Sequence, residues 1–236
     1  MTKNLQRRIF TSLALITVLF FMYLSNFILG YFLIIVSVIS ILEFLKINSI
    51  IFKIEKIKQF ICNLFYIIYI SFFCLIFLVF SFFEHLKILL FIILLTCVFS
   101  DIGGFIFGKL LKGKRLTKIS PNKTISGAIG SIFLAMIFLI SATTFLTKNF
   151  DLLIIIVAIV TSISNQIGDL FFSFLKRKSS LKDTGNILPG HGGILDRIDG
   201  ILLGMPVGFL TLVILYWDEK KDINIRINWF NWSKYT

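Results

Sequence analysis

Acidic residues are scarce in this chain of 236 residues, which carries 12 Asp and Glu against 24 Lys and Arg, and only two His. Charged residues of both signs make up 15% of the sequence, whereas apolar residues make up 57% and Phe alone occupies 28 positions. A soluble domain carries about 25% charged residues, so this composition excludes an ordinary soluble fold. We predict an all-α, polytopic integral membrane protein, with residues 1–236 forming a single membrane domain.

Cysteine is equally scarce. The three cysteines, Cys62, Cys74 and Cys97, are odd in number and lie inside apolar runs, which excludes a disulfide framework and a cysteine-ligated metal site. We interpret them as small side chains that suit lipid or core packing. The apolar runs also show no repeat period, which excludes a solenoid.

The formal net charge of +12 would suit a nucleic-acid-binding protein, but the sequence shows neither a basic groove nor an aromatic base-stacking module. Its Lys and Arg residues lie in short segments between apolar runs, where the positive-inside rule and anionic lipid headgroups account for them. We therefore expect a lipid bilayer, and no nucleic acid, among the partners of the protein.

Apolar segments of about the 20 residues that a bilayer requires recur along the chain. Basic residues concentrate in alternate connections, which the positive-inside rule assigns to the cytoplasm. Two of these connections are active-site candidates, the polar loops at 109–125 and 173–199, and a polar tail follows at 218–236. We predict seven to nine transmembrane helices; the segments counted directly are 9–27, 28–45, 60–83, 87–108, 126–147, 151–175 and 199–217.

The stretch from residue 173 to residue 199, here called the signature segment, concentrates basic, acidic and glycine residues between two apolar runs. Asp196 and Asp199 are three residues apart, so a helix that starts near Leu195 presents both carboxylates on one face. Such a pair suits Mg²⁺, which commonly takes one or two protein carboxylates and fills its other positions with water and substrate phosphate.

Glycines surround His191 just before that helix. Gly190, Gly192 and Gly193 permit close backbone approach, and their N–H groups beside a helix start predict a cradle for phosphate. For His191 three interpretations stay open: a structural donor in the turn, a phosphate contact or a metal ligand.

Asp101 and Asp169 lie inside apolar spans, where an ionisable residue is a functional candidate by default. Both lie on the order of 10 Å from the cytoplasmic end of their spans, at the rise of an α-helix. We hypothesise that Asp169, Asp196 and Asp199 converge on Mg²⁺, with room for a second cation, because clustered carboxylates repel one another without one. Asp101 lies close by in this hypothesis. The alternative is that Asp101 and Asp169 only bond across helices or pair with Lys and Arg.

The first polar loop holds a second group of candidate ligands at residues 118–124. Pro121 stiffens the loop, while the Lys123 ammonium and the hydroxyls of Ser120 and Thr124 are suitable donors to phosphate or ribose. Asn122 lies among them and completes the predicted substrate-binding residues of this loop.

These two groups of residues resemble the signature of phosphatidate cytidylyltransferases, the membrane enzymes that make CDP-diacylglycerol from CTP and phosphatidic acid. The chain departs from the family pattern at two positions, where Ser126 and Phe172 stand in place of the usual Glu. The matching residues are Ser173, Lys176, Arg177, Lys182, Asp183, Gly185, Leu188, Pro189, His191, Gly192, Gly193, Asp196, Arg197, Ile198 and Asp199 in the signature segment, and Asp101, Gly103, Gly104, Phe105, Gly108, Ser120, Pro121, Lys123 and Thr124 before it.

The resemblance implies Mg²⁺ as cofactor, CTP and phosphatidic acid as substrates, and a homodimer in a bacterial-type inner membrane with a cytoplasmic active site. The catalytic residues it implies are Asp169, Lys182, Asp183, Asp196 and Asp199, with Asp169, Asp196 and Asp199 as metal ligands and Asp101 as a further candidate ligand. The substrate-binding residues it implies are Ser120, Asn122, Lys123, Thr124, Lys176, Arg177, His191, Gly192, Gly193 and Arg197. Asp183 has two open roles, orienting Lys182 or holding a second cation.

Other functions stay open. The absence of Glu at positions 126 and 172 is compatible with a catalytically degenerate relative, or with a related cytidylyltransferase that uses another lipid acceptor. A transporter also places acids within membrane spans, but it does not require a glycine-rich polar segment of this kind.

Overall fold

The computed structural model of the protein describes residues 3–117, 119–121, 123–185, 187 and 192–218, with side chains from residue 14 to residue 216 within these ranges. Of the predicted polar tail, only Asp218 lies within the described residues. These ranges contain helices and no strand: α1 (Lys3–Leu24), α2 (Asn26–Ile51), α3 (Lys56–Ser81), α4 (Glu84–Leu111), α5 (Ile125–Thr147), α6 (Leu153–Lys178), α7 (Leu195–Ile198) and α8 (Ile201–Asp218).

Six helical segments in the described part of the chain are long and apolar enough to cross a bilayer: α2 to α6, and the segment Leu195–Tyr216 formed by α7 and α8. A shorter apolar stretch, Ala14–Leu24, belongs to α1. Helices suit lipid because they satisfy their own backbone N–H and C=O groups. The predicted all-α polytopic membrane fold is confirmed, and each of the seven segments counted in the sequence corresponds to one of these helices.

Hydroxyl side chains begin two of the helices. Ser25 has an extended backbone between α1 and α2, and its hydroxyl accepts a hydrogen bond from the Ile28 N–H at 3.5 Å. Thr124 does the same for α5, accepting from the Gly127 N–H at 3.1 Å. Each hydroxyl satisfies a donor that the first helical turn leaves free.

Glycines bring α4 and α5 close together. A methyl group added to Gly103 of α4 would overlap the carbonyl oxygen of Gly130, and one added to Gly130 would overlap the Phe107 side chain. In lipid, helices associate largely through such van der Waals packing, which small residues permit. The α4–α5 pair therefore forms one closely packed wall of the bundle.

The other helices complete two buried clusters. The larger cluster joins apolar side chains of α1 to α6 and α8. The smaller one packs beneath the signature segment and consists of Phe44, Ile47, Tyr66, Ile70, Phe172, Leu195 and Leu202. Large apolar side chains such as Phe27, Phe65 and Phe145 remain exposed on the outside of the bundle, as expected of surfaces that face lipid.

Both polar loops lie at the same end of the bundle. The first loop leaves α4 and returns into α5 as a short hairpin, in which Leu116 N–H donates to the Lys123 carbonyl at 2.7 Å and Ile125 N–H donates to the Lys114 carbonyl at 2.9 Å. The signature segment continues from the end of α6 to α7. This arrangement brings residues far apart in the sequence to one polar site.

Candidate active site

A polar cavity of about 420 Å³ lies where the two polar loops meet the ends of α4, α5 and α6. It is lined by residues of both loops, so the two loops meet, as predicted, at one end of the bundle. The charged residues that line it are Asp101, Lys123, Asp169, Lys176, Asp183, Asp196, Arg197 and Asp199.

The charged lining is predominantly acidic. Among the described lining residues, five carboxylates face three basic side chains, a formal excess of two negative charges when all are ionised. Like charges that crowd together disfavour ionisation and repel an incoming anion. A cation is therefore the natural complement of this cavity.

The first loop reaches α6 through an ion pair between Lys123 and Asp169, whose side chains are both partly buried. Ser173, one turn further along α6, donates its hydroxyl hydrogen to Asp169 Oδ1 at 3.2 Å. As alternatives to a metal ligand, the sequence left open that Asp169 bonds across helices or pairs with Lys or Arg. In this structure it pairs with a lysine. Its role as a metal ligand stays a prediction.

Lys176 lies between the two carboxylates of the signature segment. Its Nζ is 2.8 Å from Asp196 Oδ1 and 3.5 Å from Asp199 Oδ2. Helix α7 starts at Leu195, as predicted, and the three-residue spacing turns both acids toward the same lysine. The three side chains are only 6 to 12% exposed, so breaking this network would leave buried charges unpaired.

Asp196 is held by the loop that precedes it. Its Oδ2 accepts hydrogen bonds from the N–H groups of Thr184 and Gly193, at 2.8 and 2.9 Å. Gly192 adopts a positive φ of 85° in this turn, and a side chain there would approach Asp196 Oδ2 to 2.8 Å, so the turn requires glycine. The Gly193 N–H, predicted to bind phosphate, is thus directed at a carboxylate of the chain. Its contact with substrate stays a prediction.

Asp101 of α4 lines the cavity and accepts a hydrogen bond from Asn165 Nδ2 of α6 at 2.7 Å. Asn165 is fully buried, and its Nδ2 also lies 3.4 Å from the Cys97 carbonyl oxygen. Its Oδ1 has no hydrogen-bond partner within the described ranges. For Asp101, the bond across helices that the sequence left open is therefore present.

The side chains that line the cavity show how well the site suits a metal ion. Carboxylate oxygens are the ligands that Mg²⁺ prefers, and Asp169, Asp196 and Asp199 line one cavity. However, no three Asp, Glu, His or Cys residues in the described part of the chain are grouped closely enough to hold a metal, and lysines pair with these acids instead. The set fits a cation held by one or two carboxylates and substrate phosphate, rather than one enclosed by three protein ligands.

The predicted substrate-binding residues divide into three sets. Lys123, Thr124, Lys176 and Arg197 line the cavity, together with all five predicted acids. Asn122 and His191 lie outside the described residues. The remaining substrate-binding candidates are described but are not part of the lining: Ser120, Arg177, Gly192 and Gly193. The same is true of Lys182, a predicted catalytic residue.

The two positions that depart from the family pattern have structural roles in this chain. Ser126 Oγ accepts a hydrogen bond from the Gly113 N–H at 3.2 Å and lies 3.1 Å from Thr124 Oγ1, which fastens the first loop to α5. Phe172 is buried against Tyr66 in the smaller apolar cluster. Neither side chain lines the cavity.

Glu43 of α2 is connected to the site, although the sequence reading did not single it out. It is 5% exposed, and its Oε2 accepts hydrogen bonds from Thr184 Oγ1 at 2.7 Å and from the Leu195 N–H at 2.8 Å. It is the only acidic residue in the apolar helix α2. The rule that drew attention to Asp101 and Asp169, that ionisable residues in membrane spans are functional candidates, would have found it.

Comparison with known proteins agrees with the motifs. Residues 9–215 match the sequence pattern of the Cytidylyltransferase family. The chain is 44% identical over 116 residues to the phosphatidate cytidylyltransferase of Staphylococcus haemolyticus, 41% over 116 residues to that of Staphylococcus aureus and 43% over 119 residues to that of Helicobacter pylori. Each match covers 48% of this chain and, in the same order, 45, 45 and 42% of the relative. The matched part thus spans less than half the length of each relative.

Proposed function

The chain belongs to the cytidylyltransferase family, and we propose that it transfers the cytidylyl group of CTP to phosphatidic acid, giving CDP-diacylglycerol and pyrophosphate. The names of the three relatives support this pair of substrates. Because each match spans less than half of the relative, the proposal depends equally on the chemistry of the cavity.

The observation that carries the proposal is an acid-rich cavity at one end of a membrane-spanning bundle, with Lys123 and Lys176 placed among its carboxylates. Phosphatidic acid presents its phosphate at the membrane surface, and CTP presents its own from water. Both substrates are anions that need basic groups and a cation, and Arg197 adds a third basic group to the lining. The composition of the cavity supports a reaction between two phosphates.

In the proposed reaction, a phosphate oxygen of phosphatidic acid attacks the α-phosphorus of CTP. The bond from that phosphorus to the oxygen that bridges the α- and β-phosphates breaks, and this oxygen leaves as part of pyrophosphate. The attacking oxygen is already ionised, so the reaction requires no strong general base. Positioning of the two substrates and neutralisation of their phosphate charge therefore contribute most of the rate enhancement.

Lys123, Lys176 and Arg197 contact phosphates in this proposal, and Asp196 and Asp199 would hold Mg²⁺, with Asp169 on the same cavity. When bound, Mg²⁺ supplies neutralisation of phosphate charge and alignment of the reacting groups. The formal excess of negative charge in the lining supports a divalent cation, since CTP alone would add further negative charge.

The proposed orientation places the cavity on the cytoplasmic side of a bacterial plasma membrane. Basic residues concentrate in the connections on this side, and the relatives are bacterial proteins. Labelling of a Lys112→Cys variant tests it, because a cytoplasmic loop reacts with an impermeant maleimide in inside-out vesicles and not in intact cells. The homodimer implied by the family resemblance also remains part of the proposal, to be tested by cross-linking in the membrane.

The deciding experiment is conversion of CTP and phosphatidic acid by the purified protein in liposomes with Mg²⁺, followed as CDP-diacylglycerol and pyrophosphate. We expect activity in the parent and its loss in Asp199→Asn. Activity should be retained in Asp151→Asn, a matched change just before the N-terminus of α6, whose C-terminal half lines the cavity. A folded parent that binds CTP without forming product would indicate a degenerate relative. Product with another lipid phosphate alone would indicate a different acceptor, and solute flux without CTP consumption would indicate a transporter.

A further inference from the structure

Glu43 carries a carboxylate into the apolar part of the bundle, where an unsatisfied charge is costly. Its side chain does not line the cavity. It is instead enclosed between α2 and the signature segment, beside Phe44, whose ring stacks on Tyr66 at 3.9 Å between centroids. A buried carboxylate in such surroundings requires hydrogen-bond donors. The residues that supply these donors show which part of the chain Glu43 positions.

Among the described residues, the donors to Glu43 all belong to the signature segment. Leu195 N–H donates to Oε2 at 2.8 Å, Ile194 N–H donates to Oε1 at 3.2 Å, and the Thr184 hydroxyl donates to Oε2 at 2.7 Å. The two backbone groups lie at the start of α7, where helical N–H groups have no partner within the helix. One side chain of α2 therefore fixes both the beginning of α7 and the loop that precedes it.

The segment is shaped to receive this carboxylate. A methyl group added to Gly185 or to Gly193 would overlap the Glu43 oxygens. Both glycines thus allow the backbone of the signature segment to close around the acid from two sides.

Thr184 connects Glu43 to the site itself. This residue is 1% exposed, and its hydroxyl, besides donating to Glu43, lies 3.1 Å from Asp196 Oδ2. Its N–H donates to the same Asp196 oxygen at 2.8 Å. Because Asp196 Oδ1 is the atom that contacts Lys176, the orientation of this carboxylate follows from how Thr184 is held.

We propose that Glu43 is a positioning residue of the cytidylyltransferase site: by binding Thr184 and the start of α7, it holds the Asp196 carboxylate toward Lys176 and the cavity. This inference rests on the proposed function, but the contact that it invokes exists independently of any reaction. Glu43 touches neither the cavity nor a reacting atom, so it acts only through the signature segment.

The test compares variants that change the two carboxylate oxygens of Glu43 or the hydroxyl of Thr184. Glu43→Gln keeps the side-chain size with one oxygen, Thr184→Val removes the hydroxyl at similar volume, and Thr184→Ser restores it. Glu55→Gln is the matched control, because Glu55 is exposed and pairs only with its neighbour Lys58 among the described residues. Each variant is measured for thermal unfolding, for kcat and KM with CTP and phosphatidic acid, and for amide hydrogen exchange of the peptides that cover residues 183–197.

We expect Glu43→Gln and Thr184→Val to lower kcat by roughly tenfold or more, as loss of a residue that orients site ligands commonly does. The KM for phosphatidic acid should stay within about twofold, since binding contacts are retained. In both variants, amide hydrogen exchange should rise in residues 183–197 and not in α5. Thr184→Ser should restore kcat, and Glu55→Gln should match the parent in every measurement.

Unchanged exchange in Glu43→Gln would overturn the inference, as would raised exchange with unaltered kcat. A fall in activity that only follows a general loss of folded protein, with raised exchange in α5 as well, would overturn it too. If the parent itself makes no CDP-diacylglycerol, the proposed function fails, and the exchange measurement alone decides whether Glu43 holds the segment.

Discussion

The Lys176 ammonium lies 2.8 Å from Asp196 Oδ1, so a basic side chain neutralises a carboxylate that the sequence predicts to be a metal ligand. The same ammonium is also within 3.5 Å of Asp199. If the site binds a divalent cation as proposed, Lys176 would compete with that cation for one pair of carboxylates. The balance between them should then determine how strongly the nucleotide-free protein binds metal.

Lys176→Met should raise the affinity of the nucleotide-free protein for Mn²⁺ severalfold, because it leaves Asp196 and Asp199 without their cation. Turnover should fall at the same time, since the proposed contact between Lys176 and phosphate is lost. Titration of Mn²⁺ followed by electron paramagnetic resonance measures the first effect. Lys178→Met is the matched control, because Lys178 is exposed and lies over the Phe52 ring rather than in the cavity. Unaltered or weaker Mn²⁺ binding in Lys176→Met would contradict this account.

The ion pair between Lys123 and Asp169 predicts non-additive effects. Lys123→Met and Asp169→Asn should each lower kcat/KM, because each leaves a partly buried charge without its partner. The double variant should lose less than the product of the two single losses, as residues in direct contact do. Steady-state kinetics of the four proteins measure this coupling, with Lys114→Met as a control in the exposed part of the same loop.

The Asp169→Asn variant also tests metal ligation separately from the ion pair. If Asp169 is a ligand in the working enzyme, the variant should require a higher Mg²⁺ concentration for half-maximal rate. Full turnover with an unchanged Mg²⁺ dependence would show that Asp169 serves only to pair with Lys123.

Hydrophobicity and spacing were sufficient to predict the helices and the position of the acids. The apolar spans follow from length and composition, and the separation of Asp196 from Asp199 follows from helical geometry. That the first loop meets the signature segment also follows, because the positive-inside rule places both at one face. These are local properties, or properties imposed by the bilayer, and they depend little on side-chain packing.

The partners of the buried groups could not be predicted in the same way. Glu43 is separated from Thr184 by 141 positions in the sequence, and its contact depends on how α2 packs against α6 and α7. Likewise, nothing in the sequence distinguishes a carboxylate that binds metal from one that binds Lys123 or Lys176. Tertiary packing decides which donor reaches each acid.

Asn165 predicts a stability effect at the centre of the bundle. Asn165→Ala removes the donor to Asp101, and the loss of this hydrogen bond between helices should cost about 0.5–1.5 kcal/mol. The unfolding temperature should fall, and kcat/KM should fall because Asp101 is no longer oriented. Asn149→Ala, in the exposed connection before α6, is the control. Equal unfolding temperatures for the two variants and the parent would show that the Asn165 bond contributes nothing.

The close approach of α4 and α5 makes Gly103 sensitive to a single methyl group. Gly103→Ala would force its side chain against the Gly130 carbonyl oxygen, and this backbone atom cannot yield without separating the helices. That separation would move the Asp101 side of the cavity away from Thr124. We therefore expect a lower unfolding temperature and a lower kcat/KM. In Gly30→Ala the new methyl group would meet no atom of the described residues nearer than 3.5 Å. Because alanine favours a helix by about 1 kcal/mol over glycine, that variant should be at least as stable as the parent. Equal stability and activity of the two variants would mean that the α4–α5 contact does not hold the cavity together.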